Sequence, residues 1–177
     1  DKENTFFCEK DEIINSVLKG EKIHLLDIGG AGGIEKGYLK YNNNLNITLV
    51  EPREGTDLSV KNKDINIVTN LIGEKEGESV LNILKKGDCS STLEPNGEFI
   101  KYYCGGKKSD KFNILEKISF PMTTIENIIQ KTTKQLDYLK IDAQGTESDI
   151  IKGLGSYRPI IIKTEISFVP IYANSTI

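Results

Sequence analysis

The chain has 177 residues, 37% hydrophobic and 28% charged, the balance of a globular domain able to bury a real core. With 23 Lys and Arg against 26 Asp and Glu, the formal net charge is −3 at pH 7. A mildly acidic chain has no whole-domain attraction for nucleic acid or for an anionic membrane, and neither is expected as a partner. The one local basic density, "KYYCGGKKSDK" with Lys101, Lys107, Lys108 and Lys111, reads as a solvated loop. Cys8, Cys89 and Cys104 are odd in number and lack metal-ligand spacing, which fits reduced thiols and a cytoplasmic setting. No apolar run reaches membrane-spanning length, and no signal-peptide pattern opens the chain.

In chain order, an N-terminal helix is expected within residues 1–20, with Ile13, Ile14, Val17 and Leu18 on one face. "KIHLLDIGG" reads as a buried strand closed by glycine. "IEKGYLKYN" is weakly helical, with Gly37 as an internal cost. "NITLVEP" is the second strand, ended by Pro52. "REGTDLSVKN" reads as a short helix and "INIVTNLIG" as a third strand. "GESVLNILKKG" alternates imperfectly between glycines and suggests an antiparallel excursion. The stretch from "DCSSTLEPNGEF" to "GGKKSDKFN" reads as loop, long enough to suggest function or mobility.

"ISFPM" leads into "TTIENIIQK", where Thr123 and Glu126 form a capping-box pattern and Ile125, Ile128 and Ile129 the buried stripe. "LDYLKIDAQG" is a fourth strand running into a glycine turn. "TESDIIKGLG" is a short helix ending at Gly153 or Gly155, with Ile150, Ile151 and Leu154 inward. "RPIIIKTEISFVP" is a fifth strand. Strands alternating with helices argue for an α/β fold: a mostly parallel twisted sheet with helices on both faces, in a single domain over residues 1–177.

Ligands in such sheets bind beyond the carboxyl ends of the strands, near the switch in strand order. The first strand ends in "DIGGAGG", four glycines within five residues around Ala31. Glycine admits positive φ and close approach to the backbone, and a glycine-rich turn opening a helix presents N–H groups to a polar ligand. Neither a Walker loop nor the dinucleotide fingerprint fits, because the last position of Gly-x-Gly-x-x-Gly falls on Glu35. What remains is Asp27, Gly29, Gly30, Ala31 and Gly33, an acid before the turn that suits a cationic ligand such as a sulfonium. Glu51, roughly 20 residues along, stands where an acid accepts the two hydroxyls of a ribose.

These stretches, with "PMTTIENII", "LDYLKIDAQGTESDIIKGL" and "PIIIKTEIS", resemble the FkbM-type methyltransferases of the S-adenosylmethionine-dependent class with a Rossmann-like fold. The resemblance runs from about Lys22 to Ile171. Its most specific part is the Lys-Ile-Asp-x-x-Gly-x-Glu run. Many relatives carry Glu where Gln144 stands, so no carboxylate role carries over to that position.

The resemblance implies S-adenosyl-L-methionine as donor, with the adenine against Asn70 and Leu71 at the end of the third strand. It also implies O-methylation of a hydroxyl on a small molecule or a glycan. A hydroxyl acceptor calls for a general base. Asp142, at the end of the fourth strand, is the first candidate, and Glu165, ending the fifth, is the second. If the two carboxyls face each other, a divalent metal could lie between them; no metal-ligand set is read from the sequence. His24, the lone histidine, reads as structural. "DCSST" (Cys89 to Thr92) offers hydroxyls that could border the acceptor pocket, and Glu147 is explained by the dipole of the helix it opens.

Two further readings stand beside this one. A non-catalytic nucleoside-binding or regulatory domain could keep the same fold. A nicotinamide oxidoreductase is disfavoured by the failed glycine fingerprint. The class adds a final antiparallel strand pair after the fifth strand, so the domain is expected to be truncated at its C-terminus, with the gene continuing past Ile177.

Overall fold

The computed structural model describes residues 12, 16–53 and 65–175. Ile13, Ile14, Cys8 and nearly all of the short helix expected in "REGTDLSVKN" lie outside these. Residues 16–18 are helical and the helix stops there, as Lys19 and Gly20 take positive φ. Val17, expected on the buried face, is exposed.

Five parallel strands form the main sheet: β1 (Ile23–Ile28), β2 (Leu45–Val50), β3 (Ile65–Val68), β7 (Tyr138–Ile141) and β8 (Ile161–Thr164), in the order β3-β2-β1-β7-β8. The chain leaves β1 toward β2 on one side and later returns to β7 on the other. The switch in strand order therefore lies between β1 and β7.

The central strands read as unbroken apolar runs because both faces are covered. On one face Leu26, Ile28, Leu139 and Ile141 pack against Ile125, Ile128 and Ile129 of α3 (Ile125–Lys131) and Ile150 of α4 (Glu147–Lys152). On the other, Leu25, Ile47 and Leu49 pack with Ile34 and with Tyr38 of α1 (Lys36–Leu39). The α/β architecture and the buried stripe of α3 are as the sequence predicts.

A second sheet of three strands, in the order β4-β6-β5, holds β4 (Leu71–Ile72), β5 (Gly77–Leu84) and β6 (Ile114–Thr123). The expected antiparallel excursion is the β5–β6 pair. The expected third strand is instead two. β3 ends at Val68, whose carbonyl accepts from the Glu51 N–H at 3.0 Å, and Leu71 and Ile72 pair with Met122 and Thr123 of the other sheet. Both side chains of that two-residue strand are buried, so its pairing follows the core beneath it.

Within the stretch read as loop lies α2 (Gly97–Cys104), capped by Asn96, whose side chain accepts from the Phe99 N–H at 3.3 Å. Ile100 is its one buried residue, too narrow a stripe to show as periodicity. The cap of α3 is Thr124, accepting from the Asn127 N–H at 3.1 Å, one residue beyond the expected Thr123, which ends β6. Glu126 instead accepts from the Ser156 N–H and hydroxyl, beside the left-handed Gly155. Among the described residues no helix is long and apolar enough to cross a membrane.

Candidate active site

A cleft of about 510 Å³ opens at the carboxyl ends of the parallel strands, over the switch between β1 and β7. Its walls come from the glycine turn after β1, the end of β2, the β3–β4 turn, the loop 87–92, and the β7–α4 turn. Volumes of this order are usual for small-ligand sites.

The glycine turn is shaped by the protein's own backbone. Gly29 has φ +94°, and a Cβ there would lie 2.0 Å from the Asp142 carbonyl oxygen. A Cβ on Gly30 would lie 2.6 Å from Leu49 Cδ1. The N–H groups of Gly29 and Gly30 both donate to the Val50 carbonyl at 3.2 Å, and the Gly33 N–H donates to Gly30 O at 2.8 Å. The turn does not open the helix directly, since α1 starts only at Lys36. Two of its glycines thus serve the junction of β1 with β2 and β7, and three of its N–H groups are already partnered. Gly29, Ala31 and Gly33 line the cleft.

Asp27 does not face the cleft. It is fully buried, and its Oδ1 accepts from Lys140 Nζ at 2.8 Å, while its Oδ2 is buried without a partner. The pairing follows from register: Asp27 on β1 lies directly opposite Lys140 on β7, on the same face. Burial raises the Asp27 carboxyl above the usual range and Lys140 draws it back down. It is Lys140 that reaches the cleft wall. The expected acid for a cationic ligand is therefore the partner of a lysine.

Glu51 does line the cleft, at 2% exposure. Its Oε1 accepts from the Arg53 N–H at 3.0 Å and Arg53 Nε at 2.8 Å, and its Oε2 accepts from Arg53 Nη2 at 3.0 Å. Arg53 Nη1 donates to Gly87 O at 2.9 Å, tying the end of β2 to the loop 87–92. Nothing in the sequence marks Arg53 for this beyond its place two residues after the acid. Asn70 and Leu71 also line the cleft, at the turn where the chain passes from one sheet to the other.

The two catalytic candidates are brought together. Asp142 follows β7 directly and Glu165 follows β8 directly, so parallel pairing of these strands sets them side by side. Between them lies Gln144, whose Nε2 donates to Asp142 Oδ1 at 2.7 Å and to Glu165 Oε2 at 3.1 Å. Partial burial, and then the charge of Asp142 beside it, raises the Glu165 carboxyl above the usual range. Gln144 itself has φ +57°, uncommon for a side-chain-bearing residue. Its carbonyl accepts from the buried Ser91 hydroxyl at 2.7 Å.

The hydroxyl of Tyr172 lies 3.1 Å from Gln144 Oε1 and 2.7 Å from the Cys89 carbonyl, and burial pushes its phenol upward. Glu147 does more than meet a helix dipole. Its carboxylate accepts from the Ala143 N–H at 3.0 Å and the Gly145 N–H at 3.0 Å and 3.1 Å, which folds the turn bearing Gln144.

Of the "DCSST" hydroxyls, Ser90 and Thr92 line the cleft while Ser91 is turned inward. His24 sits at the start of β1, its backbone paired with Asp137, far along the strand from the cleft. Among the described residues no group of three or more His, Cys, Asp or Glu is placed to hold a metal ion.

No curated protein and no solved structure matches the chain. A parallel sheet, a cleft over its switch point and a pair of strand-end carboxyls recur in many enzymes, and the sequence itself separates them. The family model described as Methyltransferase FkbM domain matches residues 12–176, nearly the whole chain, and the protein belongs to that family of methyltransferases.

Proposed function

We propose that the protein is an S-adenosylmethionine-dependent O-methyltransferase whose acceptor is a hydroxyl of a sugar or glycan, and that it works in the cytoplasm. The observation that carries this reading is one cleft holding a buried acid, Glu51, at one end and Asp142 over the strand switch, with Gln144 tying Asp142 to the exposed Glu165 at the end of the next strand.

The residues present fit the donor. The cleft has the volume for a nucleoside-sized ligand, Glu51 offers a carboxylate to its ribose diol, and the apolar side chains of Leu71, Ile72 and Leu81 offer a surface to a flat base. Asn70 supplies polar groups at the edge of that surface. The backbone from Gly29 to Gly33, including Gly30 and Ala31, runs beside the remainder of the donor. Asp27 lies behind this wall and holds Lys140, which lines it. When bound, the donor supplies a methyl group on a sulfonium, which passes in line to the acceptor oxygen while sulfur keeps the electron pair of the broken bond.

The protein's work is alignment and proton removal. Orientation of reactants supplies about 7–11 kcal/mol in well-placed systems. Asp142 takes the acceptor's hydroxyl proton. Partial burial, and then the neighbouring carboxylate, push the Glu165 carboxyl above its usual range beside Asp142.

Calorimetric titration with S-adenosylhomocysteine, beside NAD, tests the donor. Binding of the first and not of the second is expected, and the reverse would overturn the reading. Incubation of glycan acceptors with isotopically labelled donor, followed by mass spectrometry for an O-methyl product, tests the reaction. Donor binding with no transfer to any hydroxyl acceptor would favour a non-catalytic nucleoside-binding domain.

A further inference from the structure

Gln144 is held from several sides. Its backbone is left-handed, its carbonyl is held by Ser91, and its Oε1 lies against Tyr172. Both hydrogens of its amide are directed at carboxylates, one on Asp142 and one on Glu165. A surface glutamine has no need of these restraints. Left-handed backbone at a residue with a side chain is unfavourable and persists where the surroundings over-determine it.

We propose that Gln144 is the positioning residue of the acceptor end: its side-chain amide clamps Asp142, on the cleft wall, to the exposed Glu165 and so fixes the one carboxyl that addresses the acceptor hydroxyl. This rests on the reading of the cleft as a site of methyl transfer to oxygen.

In this chain the position holds an amide where many relatives hold Glu. Two carboxylates side by side repel, and the amide adds no third charge beside them. An amide nitrogen offers two donors at a fixed angle and no negative charge. Carboxylates only accept, so the NH2 end of the amide is the end that faces the acids, and its oxygen lies on the Tyr172 side. The titratable groups facing the pair are Glu147 from α4, Tyr172 from the C-terminal segment and Cys89 from the loop 87–92. Glu147 is already satisfied by the backbone N–H groups of Ala143 and Gly145, so it is not part of the clamp. Asp142 is the base, and Gln144 acts through it and touches no reacting atom.

Carbon-13 NMR of the side-chain carboxyls of the full chain, followed against pH, provides the test. In the parent protein Asp142 and Glu165 should titrate as a coupled pair, each curve carrying the imprint of the other. In Gln144→Met, which keeps length and loses both donors, both curves should move upward by about one unit, because the amide donates to the ionised forms. The Glu147 curve should stay in place. A structural role alone would lower the melting temperature and leave the two curves superimposed on the parent's, and that result overturns the proposal.

Should Gln144→Met fail to fold, Gln144→Glu keeps the reach and replaces two donors by a third carboxylate. An upward shift of the pair larger than about one unit is then expected, and an unshifted pair overturns the proposal. S-adenosylhomocysteine binding by the parent protein is measured alongside. Its absence would remove the methyl-transfer reading and leave the clamp standing, whereas unshifted carboxyls would do the opposite.

Discussion

Gly29 and Asp142 meet backbone to backbone, with no room for a Cβ between them: the atom would lie 2.0 Å from the Asp142 carbonyl oxygen. The Asp142 N–H in turn donates to Ile28 O at 3.0 Å. The first glycine of the turn is therefore required by the strand that carries the proposed base. Gly29→Ala should destabilise the fold by about 3 kcal/mol or more, through positive φ and the clash together, before any ligand is added. Gly32→Ala, whose Cβ meets nothing within 4 Å, should change stability by no more than about 0.5 kcal/mol. Thermal unfolding of the two ligand-free variants checks both expectations. Equal melting temperatures would mean that β7 does not require the glycine.

Glu51 and Arg53 set up a competition at the other end of the cleft. A carboxylate offers about four lone-pair sites, and Arg53 occupies three of those on Glu51. Two ribose hydroxyls cannot both be accepted until at least one arginine donor leaves. Arg53→Met should therefore tighten S-adenosylhomocysteine binding by roughly threefold to tenfold, since one charge-assisted bond no longer has to break. Glu51→Ala should weaken it by roughly 1.5–3 kcal/mol, the worth of a hydrogen bond to a charged group. Calorimetry reads both, and weaker binding by Arg53→Met would show that the arginine serves the donor directly.

Asp142→Asn keeps the shape of the proposed base and removes its proton-accepting charge. Single-turnover methyl transfer should fall by about 10²–10⁴-fold, with a much smaller change in S-adenosylhomocysteine affinity. Near-parent turnover would take Asp142 out of the mechanism and leave Glu165 as the base. Equal losses in turnover and affinity would make Asp142 a donor-binding residue.

Asp27 and Lys140 form an ion pair between two central strands, with the carboxylate fully buried and the lysine about one-tenth exposed. Asp27→Leu leaves a buried ammonium without its partner and should cost about 3–5 kcal/mol. The double variant Asp27→Leu/Lys140→Met should recover most of that loss, because well-packed apolar residues replace such pairs at little cost. Denaturant unfolding of the three proteins measures the coupling directly. If the single variant is as stable as the parent, the pair is not what holds these strand ends.

The sequence shows the parallel sheet because β1, β2 and β7 are short runs of Leu, Ile and Val, buried on both faces and closed by glycine or proline. It shows which acids stand at strand ends, and the adjacency of Asp142 and Glu165 then follows from the pairing of β7 with β8. It does not show which strands lie side by side. Lys140 looks like one polar residue in an apolar strand until β7 is laid against β1, when it falls opposite Asp27. Gln144 and Ser91 are far apart in the chain, and only the fold sets the hydroxyl of one on the carbonyl of the other. The break between β3 and β4 is hidden for a related reason: both sides are apolar, and the change of sheet depends on β6, which lies far along the chain.

The Ser91 hydroxyl that holds Gln144 comes from the segment inserted between β3 and β7, as does the Cys89 carbonyl that receives Tyr172. Glu51 belongs to the parallel sheet's own first half. Arg53 reaches across from the end of β2 to Gly87 of the same inserted segment. The insertion thus reaches the cleft twice, through Leu71, Ile72 and Leu81 on one wall and through Ser90 and Thr92 on another, and a change confined to residues 90–92 leaves Glu51 and its arginine as they are.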